Sequence, residues 1–224
     1  MKDMGTPGYH HVRSVVRRNH KGFVGLFHSH KSNGPIEFES LLERDFLYLM
    51  EVDPLVTAVR AQPLEIKWMC DGKIHLHVPD FELGCRAGRE MIEVKPAKKA
   101  SEPSIIERTR IVTALLASQG ILYRVLTEEF IRREPAFSRA KTLLHGLGHE
   151  PSVEESNAVV RLLSATTQGL TTIEICARLA APPSFTNTIY AMVMSGQLVF
   201  ADTAAPIIAT SRVRLNLRRG EGAQ

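Results

Sequence analysis

Between Ile36 and Thr127 the apolar residues change period, from helical to alternating and back. That succession limits the segment to a small mixed sheet with a helix on each face. Phe38, Leu41, Leu42, Phe46, Leu49 and Met50 recur at helical spacing within Ile36 to Met50; Pro35 suits a first helical turn and Asp53-Pro54 a stop. Three short runs that suit strands follow: Leu64 to Trp68, Lys73 to Val78 and Glu90 to Lys95. Asp71-Gly72 is a hairpin signal between the first two, and Ala87-Gly88 lies in the turn before the third. Ser101 then reads as an N-cap, Pro103 falls early in a helix, Gly120 ends it, and Ile121 to Thr127 makes another strand. The predicted fold class is α/β.

Beyond Glu134-Pro135 the pattern turns helical, with candidates from Phe137 to Leu144, Val153 to Ser164, Thr171 to Leu179 and Phe185 to Met194. A short strand, Leu198 to Phe200, follows Gly196-Gln197, and Ala209 to Leu217 can return beside it. Three helices closed by a hairpin outline a winged-helix module, and a plain helical appendage fits the same pattern. A chain of 224 residues, 44% of them apolar, can bury one substantial core and a small second one. The predicted domains are 1–134 and 135–224.

Lys and Arg exceed Asp and Glu by only 28 to 24, so the balance itself says little about a nucleic-acid partner. The distribution says more. Residues 1–35 hold Lys2, Arg13, Arg17, Arg18, Lys21 and Lys31 against the single acid Asp3, an arm that can lie along phosphates or simply be solvated. Cys70, Cys85 and Cys176 are odd in number and lack C-x-x-C spacing, which argues against a disulfide framework and against a zinc knuckle. No apolar run approaches the roughly 20 residues needed to cross a bilayer, and no leader pattern opens the chain. A cytoplasmic location, nucleoid-associated when the protein acts on DNA, is expected.

The chemistry concentrates at Pro79-Asp80, then twelve residues, then Glu93-Val94-Lys95. Side chains alternate along a strand, so Glu93 and Lys95 emerge on one face, and the hairpin from Phe81 to Glu90 returns them to Asp80. Pro79 would be awkward in a central ladder and marks a local distortion there. Glu39 and Glu43, four apart on the first helix, can offer a third carboxylate; surface pairing with Arg44 is the plainer alternative. Hard oxygen ligands of this kind hold Mg2+, with Mn2+ expected to substitute, and an adjacent cation suits phosphodiester hydrolysis. Lys95 can stabilise developing charge or handle the attacking water, and both roles stay open. His75 and His77 alternate with Ile74, Leu76 and Val78 and are expected on a solvated or DNA-near face, not as metal ligands.

At these residues the chain resembles the TnsA family, the endonuclease subunit of heteromeric, cut-and-paste Tn7-like transposases within the PD-(D/E)xK nuclease superfamily. The resemblance is carried by Phe38 to Val56 (FESLLERDFLYLMEVDPLV), Gln62-Pro63-Leu64, Val78 to Phe81 (VPDF) and Ile92 to Pro96 (IEVKP), with Phe27 to Lys31 and Gly34 as lead-in. It implies a restriction-endonuclease-like sheet, with Glu43 as the helical carboxylate, Asp80 as the central metal ligand, Glu93 as the acid of the E-x-K motif and Lys95 as the catalytic lysine. Glu39 is the second choice for the helical position. Gln62 either meets DNA or a metal ligand, or is a buried amide satisfying the chain turn. Double-stranded DNA at transposon ends is the implied substrate, cut on the non-transferred strand at the 5′ ends. The implied partners are a TnsB-like DDE transposase and a TnsC-like ATP-dependent regulator, the latter meeting the winged-helix-like part. Lys98 and Lys99, beside Lys95, join Arg13, Arg17, Arg18, Lys21, Lys31 and Gln62 as candidate DNA contacts. Arg178, Arg212 and Arg214 can face either a phosphate backbone or an acidic protein patch. A stand-alone restriction or repair nuclease and an inactive adaptor are the competing readings.

Overall fold

The computed structural model describes residues 24–217, which divide into two compact units, the first up to Glu51 and from Leu55 to Ile131, the second Val52–Pro54 with the chain from Arg132 on. Arg13, Arg17, Arg18 and Lys21 lie outside the described residues.

In the first unit β1 (Gly25–Phe27) pairs antiparallel with β2 (Ile36–Phe38), and helix α1 (Leu41–Val52) follows. The expected helix thus starts five residues late. Ile36 and Phe38 are buried on either side of Glu37, a two-residue alternation that also satisfies helical spacing over so short a run. Ser40 fixes the true start: its Oγ accepts the Glu43 N–H at 3.2 Å, as an N-cap does. Pro35 consequently precedes a strand and not a helical turn.

The central sheet has four strands in the order β3 (Val56–Ala61), β6 (Phe81–Cys85), β7 (Gly88–Val94) and β8 (Leu122–Leu126). Its first two pairings are antiparallel, and β7 runs parallel to β8 with Glu93 opposite Val125. On one face Phe46 of α1, fully buried, stacks on Phe81 at 5.1 Å between ring centroids. On the other face α3 (Pro103–Ala117) lays Val112 and Leu116 over Met91 and Tyr123. Glu102, not Ser101, is the N-cap of α3; Ser101 ends the short helix α2 (Ala97–Ala100). The chain leaves β8 through α4 (Glu128–Ile131), whose Glu128 accepts the Ala97 N–H at 2.8 Å.

The strands expected at Leu64 to Trp68 and Lys73 to Val78 form β4 (Ile66–Cys70) and β5 (Lys73–His77), but they make a separate two-stranded sheet outside the central one. Asp71 and Gly72 turn at φ of 48° and 69°, the paired left-handed conformations of a type I′ hairpin turn. The expected exposure of β5's histidines holds for His75 and fails at His77. Ile74 and Leu76 are exposed, while His77 is buried opposite Ile66. Because β4 and β5 end before Pro79, Asp80 lies in the passage from this hairpin to the central sheet and not in a distorted continuation of one strand.

The second unit contains α5 (Ala136–Leu143), α6 (Val153–Ser164), β9 (Leu170–Thr171), α7 (Thr172–Arg178), α8 (Thr186–Met194), β10 (Leu198–Phe200) and β11 (Arg212–Leu215). The strands form an antiparallel sheet ordered β10-β11-β9. Capping boxes start two of the helices, Ser152 with Glu155 on α6 and Thr171 with Glu174 on α7. Val159, Ile175, Ile189, Met192 and Phe200 are central to its core. Among the described residues no helix is long and apolar enough to cross a membrane.

Candidate active site

Asp80, Glu93 and Lys95 meet where β7 ends beside the start of β6. The pairing of Phe81 with Ile92 sets Asp80 next to Val94, whose N–H donates to Asp80 Oδ2 at 2.7 Å. Lys95 Nζ lies 2.7 Å from Glu93 Oε1 and 3.8 Å from Asp80 Oδ2. Glu93 is only 2% exposed, which excludes a merely solvated strand face, whereas the Asp80 and Lys95 side chains are about a quarter open to solvent.

Glu43 stands at the first turn of α1. Its Oε2 accepts the Glu39 N–H at 2.7 Å and its Oε1 the Ser40 hydroxyl at 2.9 Å, so the carboxylate also caps the helix. Arg44 pairs instead with Asp45, at 2.7 Å. Glu39 Oε1 accepts from Gln62 Nε2 at 3.0 Å, and the Gln62 N–H donates to the Asp80 carbonyl at 2.9 Å. Gln62 thereby links the Glu39 carboxylate to the Asp80 backbone; it sits at a φ of 43°, and its Oε1 is buried without a donor among the described residues.

Burial dominates the electrostatics. It pushes the Asp80 carboxyl up to about 8; the neighbouring Glu93 and Glu43 carboxylates add to this, while Lys95 and the Val94 N–H oppose it. Glu43 is raised as well, first by burial and then by Glu39, against its two hydrogen bonds and the Lys95 charge. Burial pulls Lys95 down, but Asp80 and Glu93 outweigh it and the ammonium is held above its usual range. These shifts describe a pocket with more carboxylate than it can neutralise with its own cations.

Three residues missed in the sequence complete the surroundings of Glu93. Arg108, on α3, donates from Nη2 to Glu93 Oε1 at 3.0 Å. His77 Nε2 bonds the Tyr123 hydroxyl at 3.0 Å and lies 3.4 Å from Glu93 Oε2, close but without hydrogen-bond alignment. Oε2 is therefore a buried acceptor with no hydrogen-bond partner among the described residues. Burial, with Arg108 and Lys95 in support, lowers the His77 pKa against the pull of Glu93, which favours the neutral imidazole. His77 thus belongs inside the site and not on the solvated face expected for it; the exposed His75 stacks on Trp68, with centroids 5.4 Å apart. Only its late position on β5, opposite the apolar Ile66, could have flagged His77.

The other candidates are distributed differently. Lys98 and Lys99 are exposed on α2, just past Lys95. Lys31 Nζ donates to the Met50 carbonyl at 2.8 Å, where its charge suits a helix C-terminus. Arg212 contacts Glu174 at 3.5 Å in the second unit. Among the described residues no three His, Cys, Asp or Glu side chains stand close enough together to hold a metal ion as placed. Lys95 and Arg108 claim Glu93 Oε1, and Glu43 is turned to its helix end.

No curated protein matches the chain. Residues 53–128 match the family model described as the TnsA-like endonuclease N terminal, a span that contains Asp80, Glu93 and Lys95 and begins after Glu43. Through that segment, about a third of the chain, the protein is similar to TnsA-like endonucleases.

Proposed function

We propose that this chain is a Mg2+-dependent DNA endonuclease that hydrolyses the 5′ ends of the non-transferred strand at transposon ends, together with a DDE transposase and an ATP-dependent regulator. The observation that carries the reading is the meeting of Asp80, Glu93 and Lys95 at one end of β6 and β7, inside the segment that matches the endonuclease family.

The donor set suits a hard divalent cation. Asp80, Glu93 and Glu43 offer carboxylate oxygens, the buried Glu93 Oε2 and Gln62 Oε1 lack donors among the described residues, and the carboxylate excess that raises Asp80 calls for added positive charge. When bound, Mg2+ supplies Lewis acidity and a more acidic water. The protein's own groups do the rest. Asp80 and Glu93 would hold the ion, with Glu43 as the third carboxylate. Lys95, kept protonated by two carboxylates, orients the water or meets charge developing on the phosphoryl oxygens, and is poorly suited to act as a base. Tyr123 is 4% exposed with its phenol pushed well above the usual range by burial, so it offers no nucleophile and hydrolysis by water fits best. Lys98 and Lys99 follow on an exposed turn suited to backbone phosphates.

The second unit is proposed to be a winged-helix module that docks the regulator. Its last helix, α8, reads TNTIYAMVM and carries no cation, which favours a protein partner over a phosphate backbone.

A strand-specific assay on labelled transposon ends, with and without the transposase and Mg2+, tests the reading. Mg2+-dependent 5′ cleavage that needs the transposase is the expected result. Equal cutting of unrelated duplexes by the chain alone would favour a stand-alone nuclease, and no cutting under any condition would favour an adaptor.

A further inference from the structure

Glu93 is the most enclosed member of the site, yet both of its cations share one oxygen: Lys95 Nζ at 2.7 Å and Arg108 Nη2 at 3.0 Å fall on Oε1. Lys95 has a second acid within reach, Asp80 at 3.8 Å. Arg108 is worse provided for. Its Nε is buried without an acceptor among the described residues, although the side chain as a whole is about a quarter exposed. A guanidinium carries five donors in a planar fork, so this one stands beside the site with donors unused. Its position is fixed from below. Arg108 precedes Val112 by four residues on α3, and Val112 is fully buried against the sheet, which keeps this helical face directed at Glu93.

We infer that Arg108 is a phosphate-binding residue of the active site, held ready by Glu93 and transferred to the non-bridging oxygens of the phosphodiester when a divalent cation takes that carboxylate. The inference rests on the proposed metal-dependent cleavage of DNA. Its logic is charge competition: two monovalent cations and a divalent ion on one carboxylate repel one another at such distances, and the cation with no second carboxylate to hold it is the one that leaves. Lys95 stays tied by Asp80. Arg108 has a fork that matches a phosphate better than the single carboxylate oxygen it now meets. Arg108 therefore opposes the metal while it sits on Glu93, and favours the substrate once displaced.

This double role gives effects of opposite sign, which a structural role would not. The full-length chain, as wild type, Arg108→Gln, Arg108→Lys and Asp80→Asn, is titrated with Mn2+ by calorimetry, then with a fluorescent DNA duplex in Ca2+ over a range of salt. Arg108→Gln should bind Mn2+ about tenfold more tightly than wild type. It should bind duplex more weakly, with the slope of log affinity against log salt reduced by about 0.9, the loss of one phosphate contact. Arg108→Lys keeps the charge on Glu93 and should hold Mn2+ affinity within about twofold of wild type while restoring the slope. Thermal melts check each variant, and Arg108→Met replaces Arg108→Gln where the latter has not folded. Unchanged or weaker Mn2+ binding in the uncharged variant, or an unchanged salt slope, overturns the role of Arg108 while the metal site stands, provided wild type binds Mn2+ and Asp80→Asn does not. Wild type that binds no Mn2+ overturns the metal-site reading itself, and this inference with it.

Discussion

Asp80 is where the charge balance of the site is decided. Its pKa, pushed up to about 8 by burial and two neighbouring carboxylates, lies above the ordinary aspartate value of 3.8. Between those values the folded chain binds more protons at this position than the unfolded chain, so stability contributed here is lost as pH rises toward 8 and is regained below about 4. Asp80→Asn removes that penalty and can keep the acceptor for the Val94 N–H. Its thermal midpoint at pH 8 without divalent ions should exceed that of wild type by a few degrees, at about 2–8 °C per kcal/mol, and the gap should close near pH 4. Cleavage should meanwhile fall by at least about 100-fold, because a proposed metal ligand is gone. A pH-independent gap, or wild-type cleavage by the purified variant, would remove Asp80 from this role. Asp80, Glu93 and Lys95 were legible in the sequence because the alternation of a strand and a single hairpin suffice to bring them together. Arg108, His77 and Tyr123 were not, since their approach to Glu93 depends on how α3 and a separate hairpin pack over the sheet.

At the scale of elements, the first helix and the β4–β5 hairpin carry the clearest consequences. Ser40 both caps α1 and donates to Glu43, so Ser40→Ala should cost about 1 kcal/mol in stability and also remove one of the two hydrogen bonds held by the Glu43 carboxylate. Because Glu43 is the proposed helical ligand and Glu39 is engaged by Gln62, Glu43→Ala should reduce cleavage much more than Glu39→Ala. A reversed ranking in a cleavage assay would move the ligand to Glu39. The hairpin was legible as a hairpin from Asp71-Gly72, but its facing was not: Ile74 and Leu76 look like core in a one-dimensional pattern, and a buried histidine looks like surface. The structure inverts the expected tolerance of β5. Ile74→Thr and Leu76→Thr should each stay within about 0.5 kcal/mol of wild type, whereas His77→Ala should cost about 1–3 kcal/mol by stripping a buried partner from Tyr123. Denaturant melts of the three variants decide it, and a His77→Ala chain as stable as wild type would return His77 to the surface role.

For the molecule as a whole, the helical elements of the second unit and the change of pattern near Glu134 were readable because local periodicity and caps define them. The strand order β3-β6-β7-β8 was not, because β3 pairs with a strand well along the chain and the parallel β7–β8 contact spans a crossover through α3. All four of these strands lie before Ile131, as do Glu43, Asp80, Glu93 and Lys95, and a separate apolar core follows Arg132. A fragment ending at Ile131 should therefore fold by itself and bind Mn2+, and one beginning at Arg132 should fold by itself and bind the regulator. Each can be expressed separately, melted to test for a single cooperative transition, and titrated by calorimetry with Mn2+ and with the purified regulator. Two cooperative transitions, with metal heat confined to the first fragment and regulator heat to the second, are the expected outcome. A first fragment that is unfolded alone and folds only on mixing with the second would show one cooperative unit and end the two-domain proposal. If both fold but the regulator binds the first, the division at Ile131 survives and the docking role passes to the nuclease unit.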